Sequence, residues 1–284
     1  MSAPRFSVSQ FSTLNRSFEE DLEAFPAGGA EGIGIAEVKL PEDGDDRELL
    51  AKFRASGLPA TVCLPSLLAI LPLPDFPGPD DPDERIEALA ASIRRLARFE
   101  PVTVLCLTGP AGDRDPAEAR RVVVAGLREL AGVAREEGVQ LSLEPIHATW
   151  ADRFTLAATI PDALDLIEEA GEPIAVMFDT WHLWDTPDLL EHVRANARRV
   201  AAVHVNDWRT DTRSWDDRTL PGEGVIDLPG ILGALEQGGY DGWYDLEIFS
   251  SETYPDSLLQ LPAAELVRRG RDGFLRAWQA RRGG

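Results

Sequence analysis

Cysteine is scarce in this chain: the two residues, Cys63 and Cys106, each sit inside an apolar run. That excludes a disulfide framework and leaves buried thiols as the expectation. Histidine occurs four times, too few for a multinuclear zinc cluster of the phosphodiesterase kind. Basic side chains number 28 against 49 acidic ones, for a net charge of −21. Such a field repels phosphate backbones and sets aside nucleic acid and anionic membranes as partners. The acidic excess itself reads as a solvated surface. No apolar run approaches the ~20 residues that cross a bilayer. The opening residues, MSAPRFSVSQF, lack the basic start and apolar stretch of a secretion signal. The expectation is a soluble, cytoplasmic protein. No GxGxxG follows the first apolar run, which disfavours dinucleotide binding.

What is present is a rhythm. Short β-branched runs fall at 6–11, 33–39, 60–64, 102–108, 139–144, 174–179, 200–205 and 243–249. Most are near-continuously apolar, as strands covered on both faces are. Between them lie helical spacings, such as Ile86, Leu89, Ala90, Ile93, Leu96 and Ala97, or Ala119, Val123, Leu127, Leu130 and Ala134. Asp81-Pro82, Asp115-Pro116 and Thr186-Pro187 each offer a capping acceptor and a proline for the first helical position. Gly57, Gly138, Gly171 and Gly238-Gly239 stand where helices should stop in a left-handed residue. Alternation with short connections implies parallel strands and right-handed crossovers. Eight units predict a single α/β domain over residues 1–284, a (β/α)8 TIM barrel, with a doubly wound open sheet as the alternative.

In a barrel, functional side chains gather where strands end. The fifth run ends in Glu144-Pro145, the sixth in Asp179-Thr180-Trp181-His182, the seventh in His204-Val205-Asn206-Asp207, and the eighth carries Glu247. Each alone could be a rim ion pair or a satisfied core histidine. Four at successive strand ends are a constellation. Three converging carboxylates repel one another, and a dication removes that penalty. Three oxygen donors with one imidazole suit Mn²⁺, with Mg²⁺, Co²⁺ or Zn²⁺ as alternatives.

At these residues the sequence resembles the xylose-isomerase-like TIM-barrel superfamily, in particular its sugar phosphate isomerase/epimerase family. The resemblance is carried by LSLEP, DTWH, VHVND, the run Arg218-Thr219-Leu220-Pro221-Gly222-Glu223-Gly224, and DLEIF. It implies that Glu144, Asp179, His204 and Glu247 ligate one divalent metal ion. It further implies that Glu144 and Glu247 are catalytic, exchanging protons with substrate carbon, and that His182 and Arg218 bind substrate oxygens. The implied chemistry is isomerisation or epimerisation of a sugar, keto-sugar or cyclitol through a metal-stabilised enediolate. A dehydratase or lyase on a keto-sugar or inosose would use the same site. The implied partner is a small molecule, and family members are often homo-oligomers.

Two departures stand out. Ketose 3-epimerases commonly carry a second glutamate six residues after the first; here the residue is Trp150, which could stack on a substrate ring or pack in the rim. A charged segment, 208–217, precedes Arg218, and a proline-rich segment, 71–82, follows the third run; both read as lids or solvated loops. His147 and Glu37 lie near strand ends, the latter able to pair with Lys39. No phosphate-binding glycine loop with basic neighbours is evident, favouring an unphosphorylated substrate.

Overall fold

The computed structural model describes residues 3–281. Eight parallel strands close into a barrel: β1 (Arg5–Ser9), β2 (Gly32–Ala36), β3 (Ala60–Leu64), β4 (Thr103–Cys106), β5 (Leu141–Leu143), β6 (Ala175–Asp179), β7 (Val200–Val205) and β8 (Trp243–Leu246). Each strand pairs with its neighbours in sequence, and β8 closes on β1. Eight helices alternate with them: α1 (Phe18–Gly28), α2 (Arg47–Ser56), α3 (Pro82–Ala97), α4 (Pro116–Glu137), α5 (Ile160–Ala170), α6 (Leu189–Asn196), α7 (Leu228–Gln237) and α8 (Ala263–Ala280).

The apolar character of the strands has two destinations. Val104 and Cys106, Val176 and Phe178, and Tyr244 and Leu246 pack in the layer shared with the helices. The alternate residues Val62, Leu64, Leu105, Met177 and Ala202 form a second cluster inside the barrel. Since side chains alternate along a strand, Asp179 follows Met177 and His204 follows Ala202 onto the inner face. Asp179 and His204 are register partners across β6 and β7, and His204 and Asp245 across β7 and β8.

Several predicted boundaries shift. The runs at 6–11 and 33–39 leave the ladder early, because single 3-10 turns form at Gln10–Thr13 and Glu37–Lys39. The Gln10 side chain stands in for the ladder there, accepting from Ala36 N at 3.1 Å and donating to Asp21 Oδ2 at 3.0 Å. Asp81 and Asp115 cap α3 and α4 as expected, with proline next. Thr186 does not cap α6. Its hydroxyl donates to Leu183 O at 2.9 Å, and Asp188, at φ +54°, begins the helix without a side-chain cap. Gly57, Gly138 and Gly171 take left-handed stops at φ 72°, 73° and 69°; at the end of α7 only Gly239 does so. Both cysteines are buried free thiols, pushed up by burial, Cys106 to about 12. No helix among the described residues is long and apolar enough to cross a membrane.

The two long loops pack over the strand ends. Arg85, buried in α3, donates from Nε to Ala69 O at 2.9 Å and from Nη1 to Pro79 O at 3.0 Å, holding the 71–82 segment. The 208–217 segment is the tip of a short antiparallel ribbon in which Asp207–Trp208 pairs with Arg218–Thr219. Asp207 accepts from the backbone of Gly222 and Ile226 at 2.9 and 3.0 Å, so the PGEG turn is gathered around one carboxylate.

Candidate metal centre and cavity

The inner faces of β6, β7 and β8 and the strand end after β5 converge on His204, which is fully buried. Its Nδ1 lies 3.3 Å from Glu144 Oε1, 3.2 Å from Glu247 Oε2 and 3.9 Å from Asp179 Oδ2. Donor atoms of Glu144, Asp179 and His204 all fall within 4.8 Å of one another. Glu144 N still bonds Cys106 O at 3.2 Å and Glu247 N bonds Val205 O at 3.3 Å, so both glutamates leave the backbone at a point fixed by the neighbouring strand.

Arg218 joins this group. Its Nη1 donates to Asp179 Oδ2 at 2.7 Å and Glu247 Oε2 at 2.8 Å, and its Nη2 faces His182 Nε2 at 3.2 Å. The guanidinium lies over the rings of Phe249 and Trp181, 4.5 and 5.3 Å from their centroids. Asp179 Oδ1 accepts from Trp181 N at 2.7 Å and Asn206 Nδ2 at 3.0 Å. Four donated hydrogen bonds and a π-stacked cation thus fix the two carboxylates in place.

The electrostatics follow from burial and crowding. Burial pushes the Glu144 carboxyl up to about 7, against the pull of His204. Burial would lower His204, but Glu247, Glu144 and Asp179 carry it up to about 10. Burial works to raise Asp179, yet Arg218, His182 and His204 hold it below the usual carboxylate range. His182 is driven by burial down to about 3, so its ring is neutral; Nδ1 accepts from the His147 amide at 3.4 Å, which leaves the N–H on Nε2, the nitrogen 3.2 Å from Arg218 Nη2.

These residues suit a divalent cation. Three carboxylates crowd one imidazole nitrogen, and Glu247 Oε1 is buried with no hydrogen-bond partner among the described residues. An orphaned buried carboxylate oxygen is costly unless something positive meets it. Glu144, Asp179 and His204 are thus brought within reach of one ion, while Glu247 stands 3.2 Å from His204 but outside that mutually close trio, with Arg218 and His182 beside them.

Glu144, His182, Arg218 and Glu247 line a cavity at the strand ends, while Asp179 and His204 lie behind it. Trp150 is in that lining as well. Glu37 is not: it accepts from Ser66 N at 2.8 Å and faces Arg95, while Lys39 pairs with Asp21 at a buried contact. His147 stacks on Trp208 with centroids 4.7 Å apart and lies 3.2 Å from Asp185, so it backs His182 from outside the cavity.

Two residues escaped the sequence reading. Asp245 lies with Oδ2 3.6 Å from His204 Nε2, and its Oδ1 accepts from Thr61 Oγ1 at 3.2 Å. Burial, against His204 and the Ser7 and Thr61 hydroxyls, raises it to about 6. Asn206 donates to Asp179 and to Glu247 O at 3.2 Å. The available signal was the two-residue period: Asp245 precedes Glu247, and Asn206 follows His204, on the same face.

A parallel eight-stranded barrel with acidic and imidazole groups grouped at its strand ends defines an α/β barrel with a metal-suited centre. The chain belongs to the xylose isomerase-like TIM barrel family, whose pattern it matches over residues 25–278. It is similar to an inosose isomerase of Halalkalibacterium halodurans, 27% identical over 164 residues, 55% of this chain and 54% of that protein. An L-ribulose-5-phosphate 3-epimerase of Escherichia coli is 32% identical over 170 residues, 58% of this chain and 53% of that protein. The chain thus spans about half the length of the curated relatives it matches. Among solved structures, the IOLI protein with a bound zinc atom superposes with a TM-score of 0.78 at 20% identity, over 96% of this chain and 97% of that one.

Proposed function

We propose that the protein is a divalent-metal-dependent isomerase or epimerase of a keto-sugar or cyclitol, with Glu144 and Glu247 as the proton-transfer pair. The observation that carries this reading is the division of the cluster. Two glutamates, one following β5 and one following β8, reach the cavity, while Asp179 and His204 stay behind it. A site that only bound metal would gain nothing from presenting two carboxylates to a substrate.

Glu144, Asp179, His204 and Glu247 would hold the cation, which supplies positive charge to offset negative charge developing on substrate oxygens. The chain's own groups do the rest. A glutamate on each side of the bound carbon lets one take a proton and the other return it, which inverts a centre; return to the adjacent carbon moves the carbonyl. Glu247 is oriented by its 2.8 Å bond from Arg218. The neutral His182 ring and the Arg218 guanidinium border the same space and stabilise oxygens that gain charge.

The relatives named as an inosose isomerase and an L-ribulose-5-phosphate 3-epimerase support proton transfer next to a carbonyl, and the zinc-bound neighbour supports a dication. The test is deuterium uptake from D2O into inososes and ketoses by Mn²⁺-loaded protein. Uptake that disappears with a chelator, and in Glu144→Gln and Glu247→Gln, is the expected result. Metal-saturated protein that exchanges no proton with any of these compounds would remove the reading. Elimination would show in the same assay as loss of water.

A further inference from the structure

We propose that the substrate joins its chelating oxygens to an uncharged apolar ring, seated against an aromatic wall above the carboxylates. This rests on the proposed proton-transfer site and narrows its substrate class to keto-sugars or cyclitols that carry such a ring. The cavity has two chemically distinct parts. Glu144, His182, Arg218 and Glu247 are mutually bonded or share His204, and they supply all the ionisable lining among the described residues. The remaining twelve lining residues are aliphatic or aromatic, and their only side-chain polar atoms are the indole nitrogens of Trp150 and Trp215.

Six of them, Phe11, Phe76, Trp150, Phe154, Trp215 and Phe249, come from five different segments at the strand ends. Five of these are ring neighbours in one arc: Phe11–Phe249 at 5.2 Å, Phe249–Trp215 at 5.5 Å, and Trp215 at 5.8 Å from both Phe76 and Phe154. The arc is anchored. Arg153 pairs with Asp75, tying the 71–82 segment to the turn that carries Phe154. Arg213 bonds Asp217 at 2.6 Å and Asp256 at 2.8 Å and stacks on Tyr254 at 3.8 Å, fastening the segment that carries Trp215.

A ligand that set further hydroxyls against this wall would find one unpaired buried donor there among the described residues, Trp150 Nε1, and each hydroxyl beyond it would stay unpaired at a cost of about 1–3 kcal/mol. An anionic group fares worse. Arg218 is the one cationic lining side chain among the described residues, and it is already committed to two carboxylates. An apolar ring gains burial and edge or face contacts instead. The polar end takes a hydroxy-carbonyl unit; the wall takes what is attached to it.

Matched probes test this on the Mg²⁺-loaded protein. Calorimetry compares 2-hydroxyacetophenone with hydroxyacetone, which share an α-hydroxyketone and differ in phenyl against methyl. It also compares dihydroxyacetone phosphate with dihydroxyacetone. The aryl ketone should bind at least about tenfold more tightly, and the phosphate no more tightly than its parent. Trp215→Ala, and separately Phe76→Ser, should collapse the aryl advantage towards unity. Equal binding of the aryl and methyl ketones, or tenfold preference for the phosphate, overturns the proposal. Mass-spectrometric deuterium uptake into the same ketones reports separately on the proton-transfer site. Exchange without aryl preference sinks only this inference; aryl preference without exchange sinks only the catalytic reading.

Discussion

His204 and Asp245 stand side by side in the β7–β8 register, with the imidazole Nε2 3.6 Å from the Asp245 Oδ2 oxygen on the side away from the other carboxylates. No hydrogen bond closes at that distance, yet the buried carboxylate draws positive charge to Nε2 and so favours presentation of Nδ1 to Glu144, Glu247 and Asp179. Asp245→Asn keeps the shape but weakens that hold. Mn²⁺ affinity should fall by roughly 10- to 100-fold, read by calorimetry; an unchanged affinity would mean that Asp245 merely fills the barrel.

Arg218 neutralises two buried carboxylates at once. Arg218→Ala leaves Asp179 and Glu247 without that partner, and metal-free protein should lose about 3–5 kcal/mol of stability. Denaturant unfolding measures the loss. Added Mn²⁺ should raise the melting temperature more in the variant than in the parent, since the cation meets an uncompensated charge.

Metal binding should depend on pH with a definite sign. Without metal, Glu144 holds its proton up to about 7 and His204 up to about 10. Protons and cation compete for the same atoms, so affinity rises as pH increases through 7 and falls below it. Near neutrality, binding should release protons. Calorimetry in buffers of different ionisation enthalpy would reveal the release; heats that do not vary with buffer would contradict it.

Gly34 leaves room for Asp245. A Cβ there would lie 2.7 Å from Asp245 Oδ2, closer than atoms pack, and 3.0 Å from Ser9 Cα, at the tight limit. Gly34→Ala should cost about 1–3 kcal/mol by overpacking, visible as a lower denaturant midpoint. It should also weaken Mn²⁺ binding, because the atom displaced is the one facing His204.

Much of the architecture was legible in the chain. The apolar runs at 60–64 and 200–205 coincide with β3 and β7, and Asp81 and Asp115 cap the helices they precede. Thr186 misled because its hydroxyl found a nearer acceptor in the turn before it. Asp245 was hidden for a different reason: the two-residue period puts it on the face of Glu247, but only the seating of β8 between β7 and β1 sets it against His204.

Sequence by itself determined the alternation of strands and helices, and which strand ends carry Glu144, Asp179, His204 and Glu247. Both follow from local periodicity, which hydrophobic burial imposes over a few residues at a time. Only the tertiary structure decided that Arg218 lies between Asp179 and Glu247, that Asp245 backs His204, and that Phe76 and Trp215 meet over the cavity. Those contacts join segments far apart in the chain, and only closure of the barrel sets their distances.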